Sequence, residues 1–431
     1  MRSLLSTKEQ RQLRLLEILI QKRDWIRLNE LAQTLECTER ILKNDLNELR
    51  TAFPTFKIQS SINGIMLNLD TAASIEDIYI YFLSHSQSFQ LLEYMFFNEG
   101  LPIYRTVEKL HSSNANLYRL GNRITTILSK QFQIELSFTP TSLNGNEIDI
   151  RYFYAQYFSE RYYFLDWPFP DISEKVITEF ADYFYKSTNY PMRFAIYRMY
   201  KLMLAISIHR VKNGHFIDLP NHFYQDYYPV LMNLPDFEDK LAYFSQQFGL
   251  EMTPDIVAQI FISFLQNDIF LDPQQFFDSL NKNDESRYSY QLLSQILERL
   301  SKAFNIKFAN HDELIWHLHN TAYFERQETF STPLLFEQKG ITLEKFKVYF
   351  PDFMESARQE LAQYRQAIGQ HDYPEQLEHL IYTIFTHAEN ITTQLLANRP
   401  PIKVLIISNF DHALSLTLMD MLSYYCNNRF T

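Results

Sequence analysis

Glycine is scarce in this chain, with 8 among 431 residues. Folds that wrap backbone around phosphates or build many tight turns need more of it. Scarce glycine with abundant Leu, Gln and Phe points to a mostly helical protein. Cysteine is rarer still. Cys37 and Cys426 lie far apart, share no metal-type spacing and suit a reducing cytoplasm. No run of about 18 apolar residues occurs, which argues against a membrane span. The opening MRSLLSTKEQRQ lacks the apolar core of a secretory leader. No G-x-S-x-G elbow exists and neither cysteine has a base positioned beside it, so nucleophilic catalysis has no candidate. The expectation is a cytoplasmic chain that is not an enzyme and carries no cofactor.

The residues present describe a large protein with an uneven charge. Hydrophobic residues make up 46% and aromatic residues 16%, with 36 Phe and 28 Tyr. The length suggests about three domains. The net charge is −11, which looks wrong for a nucleic-acid binder, but distribution matters more than the sum. Residues 1–70 carry 11 Lys+Arg against 9 Asp+Glu, hence +2, and the remainder is −13. That reads as a small basic module on a large acidic body, and such a body weakens non-specific attraction to DNA.

That basic module has the pattern of a winged helix-turn-helix. Thr7 to Gln21 reads as a helix with Leu13, Leu16, Leu19 and Ile20 on one face. Leu28 to Leu35 is a second short helix. Glu36–Cys37 then connects to a third, capped by Thr38 and stopped by Pro54. Two alternating runs around Asn63–Gly64 predict a hairpin. In the third helix Leu42, Leu46 and Leu49 form the buried stripe. Arg40, Lys43, Asn44 and Asn47 share another face, with Arg50 following. Arg and Lys reach phosphates or guanine edges and Asn reads adenine. Lys57 and Asn63 of the wing add backbone contacts.

A weaker copy follows. Ser74 to Phe97 predicts one or two helices and Tyr104 to His111 a short one. Ser113 caps another that runs to about Phe132, with Tyr118, Arg119, Asn122 and Arg123 off its apolar stripe. IELSFTPTSLNGNEIDI predicts a second wing turning at Asn144–Gly145. With 6 basic and 9 acidic residues over 71–160, its electrostatic case for DNA is poorer.

The rest is helical, aromatic and acidic. It divides into units at 166–282 and 283–399, with the polar stretch NKNDESRYS between them and a Pro region inside each: Leu219–Pro220 with Tyr227–Tyr228–Pro229, then Pro333–Leu334–Leu335 with Tyr349–Phe350–Pro351. From 400 to 431, IKVLIIS reads as a buried parallel strand and HALSLTLMDMLSYY as an amphipathic helix. One strand and one helix cannot close a core, so the expectation is the start of an α/β domain whose remainder is missing.

Histidines are the remaining chemical candidates: His209 and His215 in the first unit, His317, His319, His379 and His387 in the second. A turn from both His379 and His387 stands Thr383 rather than a third ligand, so no metal is expected.

This order of modules resembles the Mga/AtxA type of virulence regulator of Gram-positive bacteria. There the two helical units are PTS regulatory domains (PRDs), and the terminal piece resembles the EIIB component of sugar phosphotransferase systems. The second unit carries the clearest match, with His317–Leu318, Pro333–Leu334–Leu335 and Tyr349–Phe350–Pro351–Asp352–Phe353 resembling the PRD run of HL, NPL and YPxF. The first unit departs, since Leu204 falls opposite His317 and His209 lies about a turn further on.

The resemblance implies a mainly α fold: tandem winged helix-turn-helix domains at 1–70 and 71–165, two PRD-like domains, and the beginning of an EIIB-like domain. It implies regulation by histidine phosphorylation, with His209 and His387 first and His215, His317 and His379 in reserve. The implied partners are promoter DNA, a second copy bound through the PRD and EIIB-like regions, the phosphocarrier HPr or EII components, and RNA polymerase. The strand end Ile407–Ser408–Asn409–Phe410 has neither the cysteine nor the glycine of an EIIB phosphate loop, and Cys426 falls in the helix. That end is therefore expected to dimerise and not to pass phosphate. Alternatives are an RNA-binding antiterminator with PRD regulation, whose RNA module would be small and β-rich, a phosphotransferase component, and a PTS-linked scaffold without DNA contact.

Overall fold

The computed structural model describes residues 1–70, 73–163, 166–185, 194–218, 232, 234–261, 270, 273–324, 333–336, 338–370, 374–399, 405–407 and 412–425. Among them are twenty α-helices and two antiparallel two-stranded sheets. The chain forms two compact units, one of residues 1–278 with 323–341, the other of 279–322 with 342–431.

The N-terminal unit begins with a 3-10 turn, Arg2–Leu4, and helices α1 (Thr7–Lys22), α2 (Leu28–Thr34) and α3 (Glu39–Ala52). Ser6 starts α1 through a reciprocal cap: its hydroxyl accepts from the Glu9 N–H and the Glu9 carboxylate accepts from its own N–H. Leu13, Leu16 and Leu19 are buried as the spacing predicts. Leu15 is buried too, on the side of α1 whose Lys8, Arg11 and Gln12 pair with Glu48 and Asp45 of α3, while the other side meets α4 (Glu76–His85) through Glu17 and Tyr79.

Strands β1 (Phe56–Ser61) and β2 (Gly64–Leu69) form the wing. Their last pair is Ser61 with Gly64, so the chain reverses over Ile62–Asn63, one residue before the expected turn. Gly64 serves a close approach instead. At φ +126° it lies against Ile26, whose carbonyl oxygen would stand 2.1 Å from any Cβ, and Ile26 bridges Ile65 as a short third strand.

The second module repeats the order. Ser74 to Phe97 becomes two helices, α4 and α5 (Gln87–Phe97), broken at Ser86 in extended geometry. Then come α6 (Ile103–Lys109), α7 (Asn114–Gln131), β3 (Glu135–Phe138), β4 (Thr141–Asn144) and α8 (Glu147–Tyr162). The second wing turns at Thr139–Pro140 and not at Asn144–Gly145. Asn146 caps α8 by accepting from the Ile148 N–H, and a Cβ on Gly145 would stand 2.3 Å from the Gln133 carbonyl oxygen. The Asn-Gly pair therefore starts a helix, although its composition resembles a hairpin turn.

Helices α9 (Glu174–Tyr185), α10 (Phe194–Lys212), α11 (Phe237–Phe248), α12 (Pro254–Phe261) and α13 (Pro273–Ser279) continue this unit. The aromatic content is concentrated where α5, α8 and α10 meet. Phe96 packs edge-on to Phe158 at 5.1 Å and stacks on His209 at 4.6 Å between ring centres.

The C-terminal unit holds α14 (Asp284–Phe304), α15 (His311–Phe324), α16 (Gln338–Tyr349), α17 (Pro351–Ala367), α18 (Pro374–His387), α19 (Ile391–Ala397) and α20 (His412–Tyr425), with the ends of α15 and α16 beyond its bounds. The stretch expected as a polar linker, residues 281–289, is largely the first turns of α14. Asn283 caps it by accepting from Glu285 and Ser286, and the charges lie on a solvated face. The first unit's Pro region, Leu219–Pro220 and Tyr227–Pro229, lies outside the described residues. Of the expected strand near 402–408, Leu405 to Ile407 are described; they are not in a strand, and Leu405 and Ile407 are exposed, so the buried parallel strand is not found there. Ser408, Asn409, Phe410 and Cys426 lie outside the described residues. The helix after them is present as α20, with Leu414, Leu416 and Met419 exposed.

Candidate nucleic-acid interface and histidine clusters

The α3 face follows from its two stripes. Leu42, Leu46 and Leu49 are buried, and the Thr38 hydroxyl caps the helix by accepting from the Ile41 N–H. Between the leucines stands a buried carboxylate, Asp45, 2% exposed. It accepts from Arg11 Nε at 2.6 Å and from Gln12 Nε2 at 3.1 Å, which locks α3 onto α1. The hydrogen bond to Asp45 also raises the Arg11 pKa above its ordinary value against the opposing effect of burial. No hydrophobic pattern signals this lock, since its partners lie 34 residues apart.

On the outer side Arg40, Lys43, Asn44 and Asn47 are all exposed on one face. Arg50 has a different place. Its Nε donates to the Ile58 carbonyl oxygen, and its terminal nitrogens donate to Ser60 Oγ and Asn47 Oδ1, so it braces the wing against the helix. Lys57 pairs with Asp70 at 3.2 Å, both exposed, and Asn63 sits exposed at the wing tip. Beside it Ile62 is fully exposed, a tip residue that composition does not single out.

In the second module Ser113 caps α7 by accepting from the Asn116 N–H. Tyr118, Arg119 and Asn122 are exposed. Arg123 is exposed as well, but its guanidinium donates to the Leu4 carbonyl oxygen and to Ser88 Oγ. Helix α7 and its wing approach closely at Gly121, where a Cβ would meet the Phe138 ring at 2.4 Å. Tyr118 packs edge-on over the same ring, 5.2 Å between centres. Exposed Tyr104 with Arg105 on α6 adds an aromatic and a cation that the sequence pattern did not mark.

The second wing is tied to the helices that follow it. Glu99 accepts from the Leu143 N–H of β4 at 2.8 Å, from Arg210 at 2.7 Å, and lies 2.6 Å from His215 Nε2. Glu147 at the start of α8 accepts from Arg210 and from Arg151. Arg210 and Arg151 are 1% and 0% exposed. Burial pushes the Glu99 and Glu147 carboxyls upward, but their cationic partners outweigh it and hold both below the usual carboxylate range. His209, one residue before Arg210, stacks on Phe96, and its Nε2 lies 3.1 Å from the Phe96 carbonyl oxygen. Burial among these rings lowers its pKa below the ordinary histidine value.

In the C-terminal unit His317 of α15 and His387 of α18, 70 positions apart in sequence, meet ring to ring at 3.9 Å and 45°. His387 Nδ1 lies 3.2 Å from the Thr383 carbonyl oxygen, and Asn310 Nδ2 donates to the His387 carbonyl oxygen. Glu313 flanks His317 at 3.7 Å. His379 is buried two turns earlier on α18. His319 is a core residue, hydrogen-bonded to Ser289, which also meets the Tyr364 hydroxyl. Among the described residues no three His, Cys, Asp or Glu side chains gather as metal ligands, and no helix is long and apolar enough to cross a membrane.

Three family models match successive parts of the chain. Residues 6–65 match the M protein trans-acting positive regulator (MGA) HTH domain, residues 71–158 the Mga helix-turn-helix domain, and residues 173–391 the MGA PRD domain. A putative trans-acting regulator of Streptococcus pneumoniae is 39% identical over all 431 residues, which span 87% of its length. The capsule synthesis positive regulator AcpB of Bacillus anthracis is 21% identical over 82% of this chain and 76% of its own. The anthrax toxin expression trans-acting positive regulator of the same organism is 25% identical over 48% of this chain and 44% of its own.

Proposed function

Since the chain belongs to the family of M protein trans-acting positive regulators (MGA), and is a transcriptional regulator, we propose that it activates transcription by binding promoter DNA with α3 and its wing and with α7. The observation that carries this reading is the exposed set Arg40, Lys43, Asn44 and Asn47 on a helix whose opposite face is buried and whose wing is braced by Arg50. Such a helix enters a major groove with its amides and guanidinium at base edges. Thr38 and Lys57 flank it as phosphate contacts, and Asn63 reaches the backbone from the wing tip. Tyr118, Arg119 and Asn122 form the second reader. Arg50 and Arg123 act as braces in the free protein.

Regulation in this reading is phosphorylation of His209 and His387 by HPr or EII components, with His215, His317 and His379 as the alternative acceptors. A phosphoryl group adds close to two negative charges at neutral pH. On His387 it would stand against the His317 ring, 3.9 Å away between centres, and on His215 against Glu99. A second copy joins through the PRD and EIIB-like regions, and the DNA-bound dimer recruits RNA polymerase.

The test is titration of the full chain against duplex DNA over a salt series. Affinity is expected to fall with a slope of about one per phosphate contacted. Binding that does not respond to salt, or a preference for hairpin RNA, would remove the DNA reading. Mass spectrometry after incubation with phosphorylated HPr tests the switch, and no label on any of the five histidines would sink it.

A further inference from the structure

Residues 323–341 belong to the N-terminal unit, although the chain on either side of them is part of the C-terminal one. Within this excursion Pro333–Phe336 crosses the two winged modules as a short strap. Leu334 and Leu335 are 0% and 1% exposed. The N–H groups of Leu334, Leu335 and Phe336 all donate to the carboxylate of Glu160 at the end of α8, at 2.7, 2.9 and 3.2 Å. Three successive amides on one anion make a nest, a contact that depends on backbone shape and on the charge it encloses. Gln156 donates to the same carboxylate at 2.8 Å and sets its orientation.

The strap also reaches the first module. Arg2 donates to the Leu335 carbonyl oxygen at 3.1 Å while forking onto Glu17 of α1 at 2.6 and 2.7 Å. Glu17 accepts from the Tyr79 hydroxyl of α4 at 2.9 Å, and the Tyr79 ring packs on Phe336 at 4.7 Å. Three residues from late in the chain, Leu334 to Phe336, thus touch both reading modules at once: the 3-10 turn and, through Arg2, α1 of the first, α4 and α8 of the second.

We infer that Pro333–Phe336 is a docking strap that fixes the two DNA-reading modules in one register, with Glu160 as the positioning residue that seats it. The inference rests on the reading that both modules engage one duplex. When the modules are held in register, binding of the first raises the effective concentration of the second at its site, so affinity for a long site exceeds that of either reader alone. With the strap unseated, each module still folds and reads, but the gain is lost.

The experiment uses the full chain with Glu160→Gln and with Leu335→Asp. The amide removes the anion and turns a donor toward the nest, and the aspartate cannot stay in the apolar seat. Dissociation is measured from a duplex long enough for both readers and from one of about a single helical turn. The expected result is at least a roughly fivefold loss of affinity on the long duplex, from faster dissociation, and a change of less than about twofold on the short one. Equal loss on both duplexes, or none on the long one, would overturn the strap. Amide exchange without DNA reads the seat separately. Exchange at Leu334–Phe336 and in the last turn of α8 is expected to quicken in both variants, and unchanged exchange would overturn the proposal whatever the DNA does. If the wild-type chain binds neither duplex while the variants exchange faster, the DNA reading fails and the seat itself stands.

Discussion

The two wings have the same strand order but are held by different means. The first is braced within its own module: Ile26 bridges Ile65, Gly64 admits the approach, and Arg50 ties β1 to α3. The second has local ties as well, Leu136 N–H on Thr125 Oγ1 of α7 and Gly100 N–H on the Thr141 carbonyl oxygen, and adds a carboxylate outside its hairpin. Glu99 holds β4 through Leu143 and is itself held by Arg210 and His215 on and just after α10. The first reader is therefore set by local geometry, whereas the second combines local ties with one to the helical domain behind it.

The sharpest way to break this comparison is Arg210→Met. It leaves Glu99 and Glu147 as buried charges without their main partner, a cost of about 3–5 kcal/mol. Arg11→Met, which strips the corresponding lock from the first module, is expected to cost less, about 1–3 kcal/mol, since Gln12 still donates to Asp45. Urea denaturation of the two variants decides it, and an Arg210 effect no larger than the Arg11 effect would remove the claim that the second wing is tied to α10.

Next in size are the readers themselves. Arg40→Ala is expected to weaken DNA binding by about 1–3 kcal/mol and relax base preference, while Lys43→Ala lowers the salt slope by about one. Arg119→Ala on the more acidic second module is expected to cost less. Because all three side chains are exposed, melting temperatures should stay at the wild-type value. Equal losses from Arg40 and Arg119 would make the two readers equivalent.

Gly121→Ala probes the second wing from its other side. The added methyl enters the Phe138 ring and should cost about 1–3 kcal/mol by overpacking, read as a lower thermal midpoint and faster amide exchange in β3–β4 while β1–β2 is unchanged. The smallest expected effect is on pH dependence. Glu99 and Glu147 have folded pKa values below their ordinary 4.5, so their stabilisation is complete above that value and is lost as pH falls through the lower folded values. Acid should loosen β3–β4 before β1–β2, and Arg210→Met should flatten that difference. Simultaneous loss of both hairpins would contradict it.

Much of this architecture is legible from local pattern. Ser6, Thr38 and Ser113 are caps by type and by position, and the leucine stripes of α1 and α3 give the buried faces, while the burial of Leu15 beside Arg11 and Gln12 comes from the packing of α1 on α3. Both hairpin turns were displaced for one reason. Asn63–Gly64 and Asn144–Gly145 have turn composition, but each glycine is needed where two backbones touch, and that contact belongs to the tertiary fold. The exposed face of α3 follows from periodicity, yet the fates of Arg50 and Arg123 do not. Their long side chains reach Ile58 and Leu4, and helical position fixes only where such a chain starts. His317 and His387 attract notice separately, but nothing local places their rings together across 70 positions. The strap is hidden for the same reason, because Glu160 and Leu334 are 174 positions apart.

The buried quartet of Glu99, Glu147, Arg151 and Arg210 also bears on how the family can drift. A buried charge tolerates replacement only when its opposite changes too, so a single neutral step at any of the four positions passes through a destabilised intermediate. Among relatives these positions should be inherited as a block, all charged or all replaced by apolar side chains of similar volume. In lineages that took the second course the second wing would keep the ties within its own module, Leu136 to Thr125 and Gly100 to Thr141, and lose the ionic one behind it.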